Sequence, residues 1–222
     1  ILAVKSAAGV TINDVALALV GGALRSYLQA RSALPDRPLV ACVPVGIDGS
    51  DATSRAAGNR VTSLETSLAT SIADPWERLE TISAVTAEAK ACLDIVGREL
   101  SADWLECIPP ILLRTVARRK EAARRRPGNR NGKLRYNTVV SNLRGPSVPW
   151  QLGRAIVEEA YVAPPGDGVG VNFALWDYAG YLQFGILSFC DLIKEPAELA
   201  AHLPNCLSEL VTAAEIHRVP TV

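Results

Sequence analysis

Residues 169–189 read VGVNFALWDYAGYLQFGILSF. Two runs of β-branched, aromatic and aliphatic residues, Val169–Trp176 and Tyr181–Phe189, flank Asp177-Tyr178-Ala179-Gly180. Glycine at the end of that tetrapeptide suits a backbone with φ > 0, so the stretch predicts an antiparallel β-hairpin. Upstream, Arg154–Val162 and Tyr136–Asn142 (YNTVVSN) have the same character, and Gly145-Pro146 stops the second of them. Downstream, Glu195-Pro196 opens an amphipathic helix through Leu199, Leu203, Leu207 and Leu210.

The N-terminal half supplies the helices that such strands need to bury one face. Thr11 is a natural N-cap and Asp14, three residues on, suits a capping box; the helix continues through Val15, Leu17, Leu19, Val20, Leu24 and Leu28 to about Arg31. Gly21-Gly22 inside it costs roughly 1 kcal/mol per glycine relative to alanine, which points to close packing against another backbone. Leu39–Ile47 (LVACVPVGI) reads as a buried strand, 48–58 as a polar loop and Asn59–Thr70 as strand-like. Asp74-Pro75-Trp76-Glu77 places an N-cap, a first-position proline and an acidic third residue in order, opening a helix to about Val96. Another helix starts near Pro110 and breaks at Pro127-Gly128. The pattern predicts an α/β (α+β) fold, a mixed β-sheet flanked by helices.

The chain has 222 residues, 49% hydrophobic and 21% charged, with zero net charge. That composition supports a core and excludes a disordered tail. No apolar run reaches the eighteen or so residues of a membrane-spanning helix, and Ile1–Gly22 lacks the basic head and long apolar core of a signal peptide. The chain starts at Ile1 and contains no Met, which leads us to expect a fragment or a processed product. Cys42, Cys92, Cys107, Cys190 and Cys206 are odd in number and widely spaced, arguing against a disulfide framework or a zinc site and for structural thiols in a reducing compartment. Charge is unevenly distributed: from Arg114 to Arg135, ten Lys/Arg face one acid, Glu121, for a net +9, balanced by −9 elsewhere.

Two short motifs carry candidate chemistry. Asn13-Asp14 lies in the first turn of a helix, where a carboxylate is favourable on structural grounds alone, by about 0.3–1 kcal/mol. Ser141-Asn142-Leu143-Arg144-Gly145-Pro146 follows a strand; it can present hydroxyl, amide and backbone N–H groups to an oxyanion, or be an ordinary tight turn.

Taken in order, five segments resemble the C-terminal domain of the wax ester synthase/diacylglycerol acyltransferase family, within the superfamily of CoA-dependent acyltransferases. They are Thr11–Ala18, Asn59-Arg60-Val61, Asp74–Leu79, Ser141–Pro146 and Asp177–Gly185. The resemblance implies one chloramphenicol-acetyltransferase-like half of a two-domain enzyme, with residues 1–222 as its C-terminal domain. In that enzyme a histidine of the other domain deprotonates the hydroxyl of a diacylglycerol or long-chain alcohol, which attacks an acyl-CoA thioester. The family's His-His-x-x-x-Asp-Gly signature is absent here, so no residue of this chain is expected to be the catalytic base. Asn13, Asp14, Ser141, Asn142, Arg144 and Gly145 take supporting roles. The family's Asn-Val-Pro-Gly-Pro loop reads Asn142-Leu143-Arg144-Gly145-Pro146, with a cation in place of a rigid proline.

Acyl-CoA is thus expected as substrate, with no tightly bound cofactor or metal. The expected partners are the chain's own N-terminal domain, a lipid acceptor and, peripherally, a membrane or lipid droplet, at the cytoplasmic face. Arg118, Arg119, Lys120, Arg124, Arg125 and Arg126 are either a solvated face, a dock for anionic headgroups, or a lure for CoA phosphates. Nucleic acid is the poorest fit, because no aromatic residue lies in that run. His202 and His217 read as packed or surface residues, and Trp76, Trp104, Trp150 and Trp176 as packing or interface residues. Two rival readings remain open: a non-catalytic scaffold that holds acyl groups or a partner, and an acyltransferase acting on polyketide- or peptide-linked hydroxyls.

Overall fold

A computed structural model describes residues 1–46, 61–97, 109–124, 135–163 and 169–217. The elements run α1 (Leu2–Ala8), α2 (Ile12–Gln29), β1 (Val40–Gly46), β2 (Val61–Ser67), α3 (Pro75–Val96), α4 (Pro110–Arg124), β3 (Thr138–Arg144), β4 (Gln151–Leu152), β5 (Ala155–Ile156), β6 (Val171–Tyr178), β7 (Tyr181–Ser188) and α5 (Pro196–Ile216). Five strands form one mixed sheet in the order β2-β1-β3-β6-β7. β1, β3 and β6 are parallel, while β2 and β7 are antiparallel edge strands. The expected mixed sheet with flanking helices is therefore the observed architecture.

Helices cover one face of the sheet. Ala41, Val43, Leu64, Val140, Val171, Phe173 and Leu175 point into a core shared with α1, α2, α3 and α5. Because side chains alternate along a strand, Cys42 and Val139 point the other way, into a small cluster with Val169. α2 is the centre of the helix layer: every residue from Asp14 to Leu24 is buried. Its capping box forms as expected, with Asp14 N–H donating to Thr11 Oγ1 at 3.2 Å and Thr11 N–H donating to Asp14 Oδ2 at 3.0 Å. Gly21 explains itself: a Cβ there would stand 2.5 Å from the Leu68 carbonyl oxygen. At Gly22 it would stand 2.9 Å from Cys206 Sγ and 3.0 Å from Arg78 Nη2. α3 starts on Asp74, whose Oδ1 accepts the Glu77 N–H at 2.8 Å.

Four expectations change. The N-terminal residues contain an additional helix, α1, closed by Gly9 at φ 66° and anchored by the fully buried Val4. β3 starts two residues later than Tyr136 and extends to Arg144, because the Asn142–Arg144 backbone pairs with Leu175–Asp177. β6 likewise runs through Asp177 and Tyr178, leaving Ala179 (φ 51°) and Gly180 (φ 84°) as the two-residue turn. The predicted strand Arg154–Val162 reduces to β5, paired only with β4. Beyond it, after a last backbone bond from the Val157 N–H to the Trp150 carbonyl at 2.9 Å, residues 157–163 form a strap held by side chains in place of a ladder. Tyr178 Oη donates to the Val157 carbonyl at 2.7 Å and accepts the Trp150 N–H at 2.8 Å, and Gln183 Oε1 accepts the Ala160 N–H at 3.0 Å. The loop 48–58, the segment Asn59-Arg60, the break at Pro127-Gly128, Trp104 and Cys107 lie outside the described residues.

Candidate functional site

The first candidate motif lies where α2 begins. Asn13 is half-buried as the second residue of the helix, while Asp14, the third, is only 3% exposed. A buried carboxylate needs donors around it. Asp14 has three: Oδ2 accepts the Thr11 N–H and the Thr11 hydroxyl (2.6 Å), and Oδ1 accepts the hydroxyl of Thr86 on α3 at 2.7 Å. Asp14 is thus more than a cap, since it fastens the start of α2 to the middle of α3. Beside it opens a groove of about 350 Å³ bordered by Thr11, Ser83, Thr86, Lys90 and Asp94.

The second motif ends β3. Ser141 shares the helix-free face with Val139 and pairs with Ala174; Asn142 alternates to the helix-bearing face and pairs with Leu175. Both are half-buried, whereas Leu143 and Arg144 are exposed. Gly145 is fixed by contact: a Cβ there would lie 2.2 Å from the Asp177 carbonyl oxygen and 2.9 Å from the Trp176 ring. Pro146 then accepts the Ala179 N–H at 2.9 Å, so the Gly-Pro turn is pinned against the β6–β7 hairpin.

Chain direction puts the two motifs at one end of the sheet. α2 and α3 are antiparallel, with Asp14 meeting Thr86 and Gly22 meeting Arg78. The later part of α2 reaches the end of β2, where Leu68 lies against Gly21 and the Thr70 carbonyl accepts Arg25 Nη1 at 2.7 Å. β2 ends beside the start of β1, so α2 begins at the end where β1 and its parallel neighbour β3 finish. The motifs are not in extensive contact, since α2 packs on α5, α3 and α1, and β3 lies between β1 and β6.

The histidines are elsewhere. His202 meets Tyr27 edge-on, with ring centroids 6.5 Å apart, and His217 stacks on Trp76 at 4.7 Å. Tyr27 closes α2 and Trp76 opens α3, so both histidines lie at the opposite end of the helix layer from Asp14. That same end holds Arg78, only 2% exposed, whose Nη1 donates to the carbonyls of Ile72 (3.0 Å) and Ala73 (3.2 Å). Burial lowers its pKa, and burial raises that of the neighbouring Cys206 thiol, with Glu209 adding to the rise. Trp76 is buried in packing; Trp150 is half exposed against Trp176.

Of the basic run, Arg118 and Arg119 are exposed on α4, beside exposed Ile111, Leu112 and Val116. Lys120 and Arg124 fall within α4, and Arg125 and Arg126 lie outside the described residues. No single helix among the described residues is long and apolar enough to cross a membrane. Sequence reasoning missed Thr86 entirely, because nothing in the α3 sequence signals that one hydroxyl meets a carboxylate 72 positions away.

Comparison with known proteins gives these arrangements a context. The WS/DGAT C-terminal domain model matches residues 57–211. A probable diacylglycerol O-acyltransferase of Mycobacterium tuberculosis H37Rv is 36% identical over 219 residues, 97% of this chain and 46% of that protein. A putative diacylglycerol O-acyltransferase of the same strain is 32% identical over 208 residues, 93% and 42%. The solved wax ester synthase/diacylglycerol acyltransferase of Marinobacter aquaeolei VT8 superimposes with a TM-score of 0.69 at 28% identity, covering 97% of this chain and 46% of that one. The chain thus spans about half the length of these relatives.

Proposed function

Because the chain belongs to the wax ester synthase/diacylglycerol acyltransferase family, whose C-terminal domain it carries, we propose that it is one half of an acyl-CoA-dependent O-acyltransferase. On this reading the acceptor is a diacylglycerol or a long-chain alcohol, and the product a triacylglycerol or wax ester. The observation that carries the reading is the position of the histidines. Both are engaged with aromatic rings at the far end of the helix layer from Asn13-Asp14 and Ser141–Gly145. On this reading the general base belongs to an N-terminal domain and takes the acceptor's hydroxyl proton as the oxygen attacks the thioester carbonyl. Collapse of the tetrahedral intermediate expels the CoA thiolate, which leaves as the thiol once protonated.

This chain contributes walls and dipoles. Ser141, half-buried on the helix-free face at the end of β3, offers a hydroxyl toward the developing oxyanion, while Asn142, on the helix-bearing face, supports the strand end from behind. The Asp14–Thr86 bond holds Asn13 in place at the same end of the sheet. Arg144, exposed beside them, supplies a cation next to the site. No tightly bound cofactor is needed, since acyl-CoA itself brings the activated carbonyl. The enzyme works peripherally at the cytoplasmic face of a membrane or on lipid droplets. α4 supports that placement, because it presents Ile111, Leu112 and Val116 together with Arg114, Arg118 and Arg119.

The test compares the purified chain with a polypeptide that joins it to an N-terminal half bearing His-His-x-x-x-Asp-Gly. CoA release from acyl-CoA is followed with a diacylglycerol or long-chain alcohol present. Turnover by the joined protein alone is expected. Turnover by the isolated chain would overturn the placement of the base, and inactivity of both would favour the scaffold reading.

A further inference from the structure

The two edges of the sheet are built differently. β2, on one side, carries Glu65, which faces Arg135 at 3.0 Å, a charged device of the kind that discourages an added strand. β7, on the other side, has no Lys, Arg, Asp, Glu or Pro in eight residues. Hairpin register decides which of its backbone groups face outward. Tyr178 and Tyr181 flank a two-residue turn, and at the far end the Phe189 N–H reaches the Gly170 carbonyl at 3.2 Å. Alternation between those points turns Gln183, Gly185 and Leu187 toward β6, and the N–H and C=O groups of Leu182, Phe184 and Ile186 outward. Among the described residues no backbone group pairs with them.

A groove of about 350 Å³ lies along the first half of this strand, from Tyr181 to Phe184. Tyr181 and Gln183, from one sheet face, and Leu182 and Phe184, from the other, all line it. A groove that touches both faces of one strand must run along its rim. The opposite wall is the strap, with Glu158, Glu159 and Tyr161. Tyr161 Oη donates to Glu159 Oε2 at 2.9 Å, and Tyr161 and Tyr181 stand 62% and 72% exposed. Among the described residues, no Lys or Arg borders the groove.

We propose that the outer edge of β7 is a strand-addition site for an extended segment of a partner protein, one with a Lys or Arg among apolar residues. Leu182, Phe184 and Ile186 offer six main-chain groups, repeating about every 6.6 Å, which is the spacing an added strand matches. The partner's cation lies against Glu158 and Glu159, within reach of the Tyr161 and Tyr181 rings. A second copy of β7 is the weaker fit, because its own strand brings no cation.

The probe is a fluorescein-labelled octapeptide of alternating Thr and Val with one central Lys, compared with its Lys→Glu counterpart on the 222-residue chain. Fluorescence anisotropy should show the Lys peptide binding roughly tenfold or more tightly, with the difference lost in Glu158→Gln/Glu159→Gln. Residue-resolved hydrogen exchange supplies the second reading. The Leu182, Phe184 and Ile186 amides should exchange fast in the free chain and slow as the Lys peptide saturates, while Gln183 and Gly185 stay slow throughout. Three results would overturn the proposal. The outward amides could be slow without peptide at every dilution, which means that the chain covers its own edge. Their slowing could follow chain concentration alone, which makes a second copy the occupant. Finally, the two peptides could bind alike or not at all.

Discussion

Replacing Thr86 by Val tests whether the Asp14 carboxylate fastens α2 to α3. The two side chains have nearly the same shape, so the change removes one O–H donor and little packing. Thr86 is 1% exposed, and its hydroxyl lies 2.7 Å from Asp14 Oδ1 and 3.0 Å from the Ser83 carbonyl. One proton serves one acceptor at a time, and the shorter contact to a charged acceptor takes it. Hydrogen bonds to charged groups contribute about 1.5–3 kcal/mol. Water from the adjacent groove can replace part of that, so the lower figure is expected, about 1.5 kcal/mol. For a chain of this size each kcal/mol moves Tm by about 2–4 °C, so the midpoint should fall by about 3–6 °C. Far-UV circular dichroism melts of wild type, Thr86→Val and Thr86→Ser provide the assay, with Ser, which keeps the hydroxyl, expected to melt close to wild type. A cycle with Asp14→Asn should give a coupling of about 1 kcal/mol. Equal melting of Val and wild type, or a cycle without coupling, would refute the reasoning.

Gly145→Ala forces a Cβ to 2.2 Å from the Asp177 carbonyl and should cost about 1–3 kcal/mol in urea unfolding, whereas Gly46→Ala, with nothing within 4 Å, should cost far less. Asn13→Ala, in a polypeptide joined to its N-terminal half, should lower kcat/KM about tenfold or more, with stability changed within ~0.5 kcal/mol; a parallel fall of both would make Asn13 structural. With a thiol reagent, Cys92 and Cys190 should label rapidly and Cys42 and Cys206 slowly, read by mass spectrometry of timed samples. Because burial, then Glu209, raises the Cys206 thiol above 9.0, its contribution to stability is complete below pH 9 and fades as pH climbs through the folded value. Cys206→Ala should therefore flatten the alkaline loss of stability, and an unchanged slope would rule out that thiol as its source.

Local chemistry was legible in the chain. Thr11 and Asp14 announce a capping box, Gly21 announces a close backbone, and Ala179-Gly180 announces a tight turn; each is a statement about neighbours a few residues apart, or about one missing Cβ. What stayed hidden depends on pairings across long sequence separations. β1 lies between β2 and β3, which come from opposite sides of α3, and no periodicity encodes that order. Arg154–Val162 has strand composition, yet the hydroxyl of Tyr178 and the amide of Gln183 hold it where a ladder was expected. At the candidate site, both motifs were visible as residues, but Thr86 and the far placement of His202 and His217 emerge only from how α2 and α3 cross.

Tyr178 makes the β4–β5 hairpin a replaceable cassette. One phenolic oxygen takes the Trp150 N–H and gives its proton to the Val157 carbonyl, and the Val157 N–H donates to the Trp150 carbonyl at 2.9 Å, so the six intervening residues enter and leave through one closed neck. Their tip, Gly153-Arg154, touches no part of the buried core. Evolution or an engineer can therefore lengthen, recharge or swap the tip without renegotiating the sheet beneath, so long as that neck and its hydroxyl remain. Diversity among relatives should accumulate there first, with the tyrosine as its fixed price.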